Sequence, residues 1–264
     1  MMLPVTDLAF HQRLGHLVER LDSGQFWPSL ATFLRKLVPF DSWVAVIFRG
    51  GYPPIVLYEG GADETEDTLF IEYVNSLYVL DPFYQFSLTR FTPGLFRIDD
   101  VAPEHFRETE YFRHYFVHNV VADEIQFLLP LPDLGVLSLS LGGQARFTDA
   151  EIGALCLYTP WLLPLMRQAT YADGNGALKS SRLQNDPDQL VRLEDWLREK
   201  ARPPLTDREV QTTLLILGGH SAKSIAGQMG ISPETVKIHK RNLYRKLGVS
   251  SQGGIFAQFI KRLA

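Results

Sequence analysis

The stretch "SPETVKIHKRNLYRKLG", Ser232 to Gly248, opens on a helix-start signal, closes on a glycine stop and carries five cationic side chains between them. Ser232 suits an N-cap, Pro233 the first helical position and Gly248 the stop. At about 100° per residue, Val236, Leu243 and Leu247 fall on one side, with His239 and the stem of Lys240 beside them. Glu234, Lys237, Ile238, Arg241 and Arg245 then face outward. A solvated helix mixes signs to limit self-repulsion, yet no acid occurs from Lys237 to Lys246. Such a face suits a polyanion. A DNA major groove admits a helix of this size, where Lys or Arg can bond guanine edges while neighbouring cations hold phosphates.

Upstream, "SAKSIAGQM" reads as a shorter helix, Ser221 to Met229, joined to the basic one by "GIS". The pattern is helix, tight turn, helix. The net charge of -4 over 264 residues conceals an opposition of sign. From Pro203 onward there are nine Lys and Arg against three Asp and Glu, which leaves seventeen against twenty-seven for the rest. A small polyanion-binding module joined to an acidic partner domain is implied.

With its 45% hydrophobic and 21% charged residues the chain has the composition of a soluble globular protein. The single cysteine, Cys156, lies in an apolar run, reads as a small buried hydrophobe and forms no internal disulfide, which fits a reducing cytoplasm. The N-terminal residues lack the unbroken apolar core of a signal peptide. Ile152 to Met166 is the most apolar segment, but it is too short to span a membrane and contains Pro160 and Pro164. A cytoplasmic location without membrane association is the expectation.

Residues 205–262 resemble the LuxR-type DNA-binding domain, also called the NarL/FixJ or GerE type, a four-helix module. The matching residues are "LTDRE" at 205–209, Gly219, Ser221, Lys223, "SIA" at 224–226, "GIS" at 230–232, "TVKIH" at 235–239, Asn242, Leu243 and "KLGV" at 246–249. By this resemblance Lys237, Ile238 and Arg241 read bases, and Lys223, Ser232, Thr235 and Asn242 contact phosphates; Arg245 joins them on the outer face. The family continues with an Arg or Gln and then Glu-Ala in a fourth, dimer-forming helix. Here the run is "SSQGGIFAQFI", and Gly253 and Gly254 each weaken a helix by about 1 kcal/mol relative to Ala. Dimerisation is therefore expected to rest mainly on the first domain.

Ahead of this module, "ATYADGNGALKSSRLQNDPDQLVRLEDWLREK" begins rich in Gly, Asn and Ser and ends in an amphipathic pattern around Leu190, Leu193 and Leu197. The expected division is a sensor domain at 1–172, a linker with a short helix at 173–202, and the helix-turn-helix domain at 203–264. Pro203 and Pro204 end the linker helix, and Thr206 with Glu209 offers a capping box for the next.

In the first domain, residues 6–22, 29–38, 64–80, 103–119 and 148–168 read as helices. "WVAVIFRG" and "PIVLYEGG" read as strands joined by "GYPP", and "EIQFLLPL" and "GVLSLSLGG" as strands around "PDLG". The fold class expected is α+β: an N-terminal αβα sandwich with an antiparallel sheet, followed by an all-α four-helix domain. A phosphoacceptor receiver would open with a strand ending in paired acids, and this chain opens with a helix.

The stretch "YVNSLYVLDPFY", Tyr73 to Tyr84, is similar to part of the autoinducer-binding domain of quorum-sensing LuxR regulators, with Asp81-Pro82 as the local cue. That family has a Trp and a Tyr thirteen and nine residues before its ligand-binding Asp, where this chain has Thr68 and Glu72. The Trp holds a lactone and the Tyr walls an acyl chain, so their loss turns the reading away from acyl-homoserine lactones. Carboxylates among aromatic faces suit a cation. An amine-bearing metabolite is expected, with Asp81 as anchor, Glu124 or Glu72 as a second acid, and Trp43, Tyr73, Tyr78, Phe83 and Tyr84 around it. The bland alternative for Asp81 is a turn before proline.

His114 and His118 have i, i+4 spacing, but no third ligand is indicated and no metal or other cofactor is expected. There is neither a Gly-rich phosphate loop nor a Ser or Cys with a credible base, so no catalytic residue is named. The function implied is a one-component transcription regulator: a homodimer on double-stranded promoter DNA, controlled by a small-molecule effector, and meeting RNA polymerase if it activates. The alternatives are a first domain that binds a partner protein, or an acyl-homoserine lactone receptor.

Overall fold

The computed structural model describes residues 7–60, 68–120, 122–172 and 192–263. In chain order the elements are α1 (Leu8–Glu19), α2 (Phe26–Leu34), β1 (Ser42–Arg49), β2 (Tyr52–Gly60), α3 (Thr68–Asn75), α4 (Pro82–Ser87), β3 (Gly94–Arg97) and α5 (Ile98–Val101). There follow α6 (Val117–Asn119), β4 (Asp123–Leu131), β5 (Gly135–Gly143), α7 (Asp149–Ala172), α8 (Leu193–Lys200), α9 (Asp207–Leu217), α10 (Ala222–Met229), α11 (Pro233–Leu247) and α12 (Gln252–Leu263). The fold is α+β, an antiparallel sheet with helices followed by a helical C-terminal region.

The described residues fall into two compact units, one drawn from 1–66, 87–100 and 120–186 and the other from 67–86, 101–119 and 187–264. In the first, the strands lie in the order β2-β1-β5-β4-β3, all pairs antiparallel. Strand residues alternate between faces, and one face carries Trp43, Ala45, Ile47, Ile125, Phe127, Leu129, Leu137, Leu139 and Leu141. These pack against Phe10 and Leu17 of α1, Trp27 and Leu30 of α2, and Leu155, Leu162 and Met166 of α7 in one apolar core. Asp7 caps α1 by accepting from the Ala9 N–H at 3.0 Å. Thr148 and Glu151 form a reciprocal cap at the start of α7.

The structure corrects several expectations. A fifth strand, β3, is only four residues long and carries no alternation that a sequence could display. The β1–β2 connection is the turn at Gly50 and Gly51, with Pro53 and Pro54 inside β2; as an edge strand β2 tolerates prolines that cannot donate. Of the helix expected over 64–80, residues 64–67 lie outside the described residues, and the rest appears as α3 and then a separate 3-10 turn at Leu77–Leu80. The helix expected over 103–119 is likewise divided. A 3-10 turn at Phe106–Glu108 ends where the Thr109 hydroxyl donates to Phe106 O at 2.7 Å and accepts from Phe112 N at 3.0 Å. A π-wound stretch, Phe112–Phe116, then runs into α6. Cys156 is exposed, as is Leu157 at 67%, because α7 turns one face to the core and the other outward. Of the expected linker, residues 173–191 lie outside the described residues, and α8 follows them. No helix among the described residues is long and apolar enough to cross a membrane.

In the second unit, the C-terminal helices close on Leu205, Val210, Ile216, Leu217, Ile225, Ala226, Val236, Leu243, Leu247, Ile255 and Phe259, all buried. The Thr206–Glu209 capping box is present at α9. Gly253 and Gly254 fall in the first turn of α12, where Ser251 accepts from Gly254 N at 3.1 Å, and the helix forms in spite of them.

Candidate nucleic-acid interface and effector site

Each end of the helix-turn-helix is set by local chemistry. Ser221 caps α10 by accepting from Ser224 N, and Gly230 ends it in the left-handed conformation at φ 66°. Ser232 then caps α11 by accepting from Thr235 N at 3.1 Å, with Pro233 at the first position. Gly248, at φ 68°, terminates α11. Val236, Leu243 and Leu247 are buried, which fixes the rotation of the helix.

The outward face is the one expected. Lys237, Ile238, Arg241 and Arg245 are exposed, as is Lys223 on α10. Ile238 is 49% exposed, an apolar side chain among cations. Lys237 reaches back to Glu234 at 2.8 Å, and Arg245 donates to Asn242 Oδ1 at 3.4 Å. The Ser232 and Thr235 hydroxyls lie 2.9 Å apart at the helix N-terminus, where the backbone dipole favours an anion. Lys246 is different: its ammonium meets Glu209 of α9 at 2.7 Å, both side chains largely buried, and so locks α11 to α9.

Around Asp81 the second unit gathers Tyr73, Tyr78, Phe83 and Tyr84, all buried. The Asp81 carboxylate, 6% exposed, accepts from the Tyr73 hydroxyl at 2.5 Å and from Phe83 N at 2.8 Å. The second of these bonds caps α4, so the turn-before-proline role is met. Burial pushes the Asp81 carboxyl up to about 6, against the pull of the Tyr73 hydroxyl and the Phe83 and Tyr84 amides. Tyr73 stacks on Tyr115 with centroids 4.9 Å apart, and Tyr78 meets Tyr84 edge-on at 4.9 Å. Glu72 pairs with His114 at 3.1 Å. No group of three metal-ligating side chains occurs among the described residues.

In the first unit, Glu124 and Trp43 stand on opposite faces of the sheet. Trp43 registers with Leu141, and Leu141 with Ile125, whereas Glu124 registers with Gly142. Trp43 belongs to the apolar core, stacked on Tyr58 at 5.2 Å. Glu124 instead heads a buried polar row: Gln126 donates to it at 2.7 Å and Ser140 at 2.5 Å, while Ser138 donates to Gln126 at 2.6 Å. Gln126, Ser138 and Ser140 were not among the expected site residues. Their signal is in the sequence, as polar residues at every second position of two otherwise apolar strands.

Residues 203–255 match the GerE family, described as bacterial regulatory proteins, luxR family. The ligand-binding domain of VqsR from Pseudomonas aeruginosa is 40% identical, with 63% of this chain and 99% of that domain covered and a TM-score of 0.58. The chain belongs to the luxR family of bacterial regulatory proteins. An Aeromonas salmonicida protein named as an HTH-type transcriptional regulator in the exeN 3′ region is 28% identical over 187 residues, 69% of this chain and 94% of that protein. Escherichia coli SdiA is 16% identical, with 97% of this chain and 99% of that one covered at a TM-score of 0.44. As a luxR-family chain, this one carries its helix-turn-helix on α10 and α11 and its VqsR-like domain ahead of them.

Proposed function

We propose that this luxR-family regulator binds double-stranded promoter DNA through α11 and is controlled by an amine-bearing small molecule in its N-terminal domain. The observation that carries the DNA half is the outer face of α11, free of acids from Lys237 to Lys246, with Lys237, Ile238, Arg241 and Arg245 exposed above a buried apolar seam. Lys237, Ile238 and Arg241 read bases. Lys223, Ser232, Thr235, Asn242 and Arg245 hold phosphates. The division of labour is a sensor at 1–172, a linker at 173–202 and the DNA-binding domain at 203–264. A reader of half-sites works as a homodimer, in the cytoplasm, as a regulator and not an enzyme, and as an activator it would engage RNA polymerase.

The effector reading rests on Asp81, a buried carboxylate among aromatic rings. A bound ammonium would offset the cost of burying that charge and could lie against the ring faces, each cation-π contact contributing about 0.5–2 kcal/mol. A thermal-shift screen that includes amines, polyamines, amino-acid derivatives and acyl-homoserine lactones tests the class. Binding at a hundredfold excess over Kd gives about 2.7 kcal/mol of stabilisation. The expected hits are amines, lost in Asp81→Asn; stabilisation by lactones alone, or amine binding indifferent to Asp81→Asn, contradicts the reading.

A further inference from the structure

The stretch 103–116 lies within the same compact unit as the C-terminal helices, and it meets them at several independent points. Glu104 accepts from the Ser221 hydroxyl at 3.1 Å and from Ser221 N at 3.4 Å, at the cap of α10. Next to it, His105 N donates to Gly219 O at 2.9 Å. The fit is close enough to exclude a side chain. Gly219 sits at φ +92°, and a Cβ there would lie 2.8 Å from His105 C and Phe106 N. Further along, a Cβ on Gly253 of α12 would stand 3.3 Å from Glu110 Oε1, and the His114 ring meets Phe256 of α12 edge-on at 5.6 Å. Glu108 lines a cavity of about 300 Å³ together with Ser221, His220 and Lys240 of α11.

The Glu104 contact has the chemistry of a bound anion. A helix N-terminus presents unpaired N–H donors and a positive dipole end, which favour phosphate and carboxylate alike. Here the anion is Glu104, with the Ser221 hydroxyl and amide donating to it. Glu108 adds a second acid in the cavity that it shares with Lys240. A DNA phosphate approaching the start of α10 would need the same donors, and it would be repelled by the acids already there.

We propose that residues 103–116 form an intramolecular clasp on the helix-turn-helix, in which Glu104 occupies the Ser221 end of α10 in place of a DNA phosphate, so that operator binding requires the clasp to release. The inference rests on the DNA-binding reading given above. It also ties the clasp to the effector site, since Tyr115 of the same stretch stacks on Tyr73, the residue that donates to Asp81. A ligand that reorders Tyr73 or Asp81 thus acts on the segment that carries Glu104.

The test uses the full chain and the isosteric change Glu104→Gln, with Glu19→Gln as a control of equal charge change. Glu19 is an exposed acid of α1, bonded to His16 at 3.2 Å. The clasp predicts that Glu104→Gln binds a selected operator roughly three- to tenfold more tightly than the parent, with Glu19→Gln close to the parent. Hydrogen exchange over 219–224 should be faster in Glu104→Gln without DNA. Affinity no greater than that of Glu19→Gln, or unchanged exchange over 219–224, overturns the clasp. If no protein binds any duplex, the DNA-binding reading fails instead, and the exchange result still decides whether Glu104 holds Ser221.

Discussion

Glu209→Ala is expected to destabilise the C-terminal helices by about 3–5 kcal/mol, the range for removing one partner of a buried ion pair. Glu209 is 7% exposed and is engaged three times: it accepts from Thr206 N at 2.9 Å, from the Thr206 hydroxyl at 3.1 Å and from Lys246 at 2.7 Å. Its loss therefore opens the capping box of α9 and strands the Lys246 ammonium in a largely buried place. Burial raises the Glu209 carboxyl, but Lys246 and the Thr206 donors outweigh it and hold the group below the usual carboxylate range. A lowered folded-state value gives stability that is present above the unfolded value and lost as pH falls through the folded one. Urea unfolding of parent and variant measures the loss at pH 7. A change below about 1 kcal/mol, the scale of an exposed pair, would mean that Glu209 does not fix α11 to α9.

Asp81 gives the opposite sign. Burial, the largest influence, lifts its carboxyl from an ordinary 3.8 to about 6, so the folded protein holds that proton more tightly than the unfolded chain. The stabilising contribution is complete below the unfolded value, declines as pH rises from about 4 to about 6, and is absent above. With 1.36 kcal/mol per unit, the swing is about 3 kcal/mol. Denaturant unfolding of the parent and of Asp81→Asn at pH 4 and pH 7 isolates it, because other titrations cancel in the difference. The parent is expected to lose about 3 kcal/mol against the variant on going to pH 7. Parallel curves would mean that Asp81 is not held in a desolvated site. The same charge cost above pH 6 is what a bound ammonium would relieve.

The helix-turn-helix was legible because each of its boundaries is written locally. Ser221, Ser232, Gly230 and Gly248 carry the caps in their own side chains or backbone freedom, and Val236, Leu243 and Leu247 set the rotation of α11. Four strands were legible from their apolar runs, while the four residues of β3 were too few to show a period. The helix expected at 103–119 hid its break in one residue, Thr109, whose hydroxyl serves the turns on both sides.

What no local reading could supply is the pairing of distant residues. Glu104 and Ser221 are 117 positions apart, and nothing around either marks the other. Trp43 and Glu124 were grouped by chemistry, yet the register of β1 on β5 and of β5 on β4 puts them on opposite faces of the sheet. Tyr73, Tyr78, Asp81, Phe83 and Tyr84 were found together because they are close in sequence, and the contribution of Tyr115 from a different segment was not.

The central claim is that α11 reads DNA sequence, and the measurement that bears on it most directly is selection from a randomised duplex pool by the full chain, followed by binding constants for the parent, Arg241→Ala and Lys223→Ala. The account predicts a selected site made of two related half-sites. Arg241→Ala should lose about 1–3 kcal/mol on that site and little on unrelated duplex, whereas Lys223→Ala should weaken both alike. A pool that never converges, or a selected site bound equally by the parent and both variants, would contradict it.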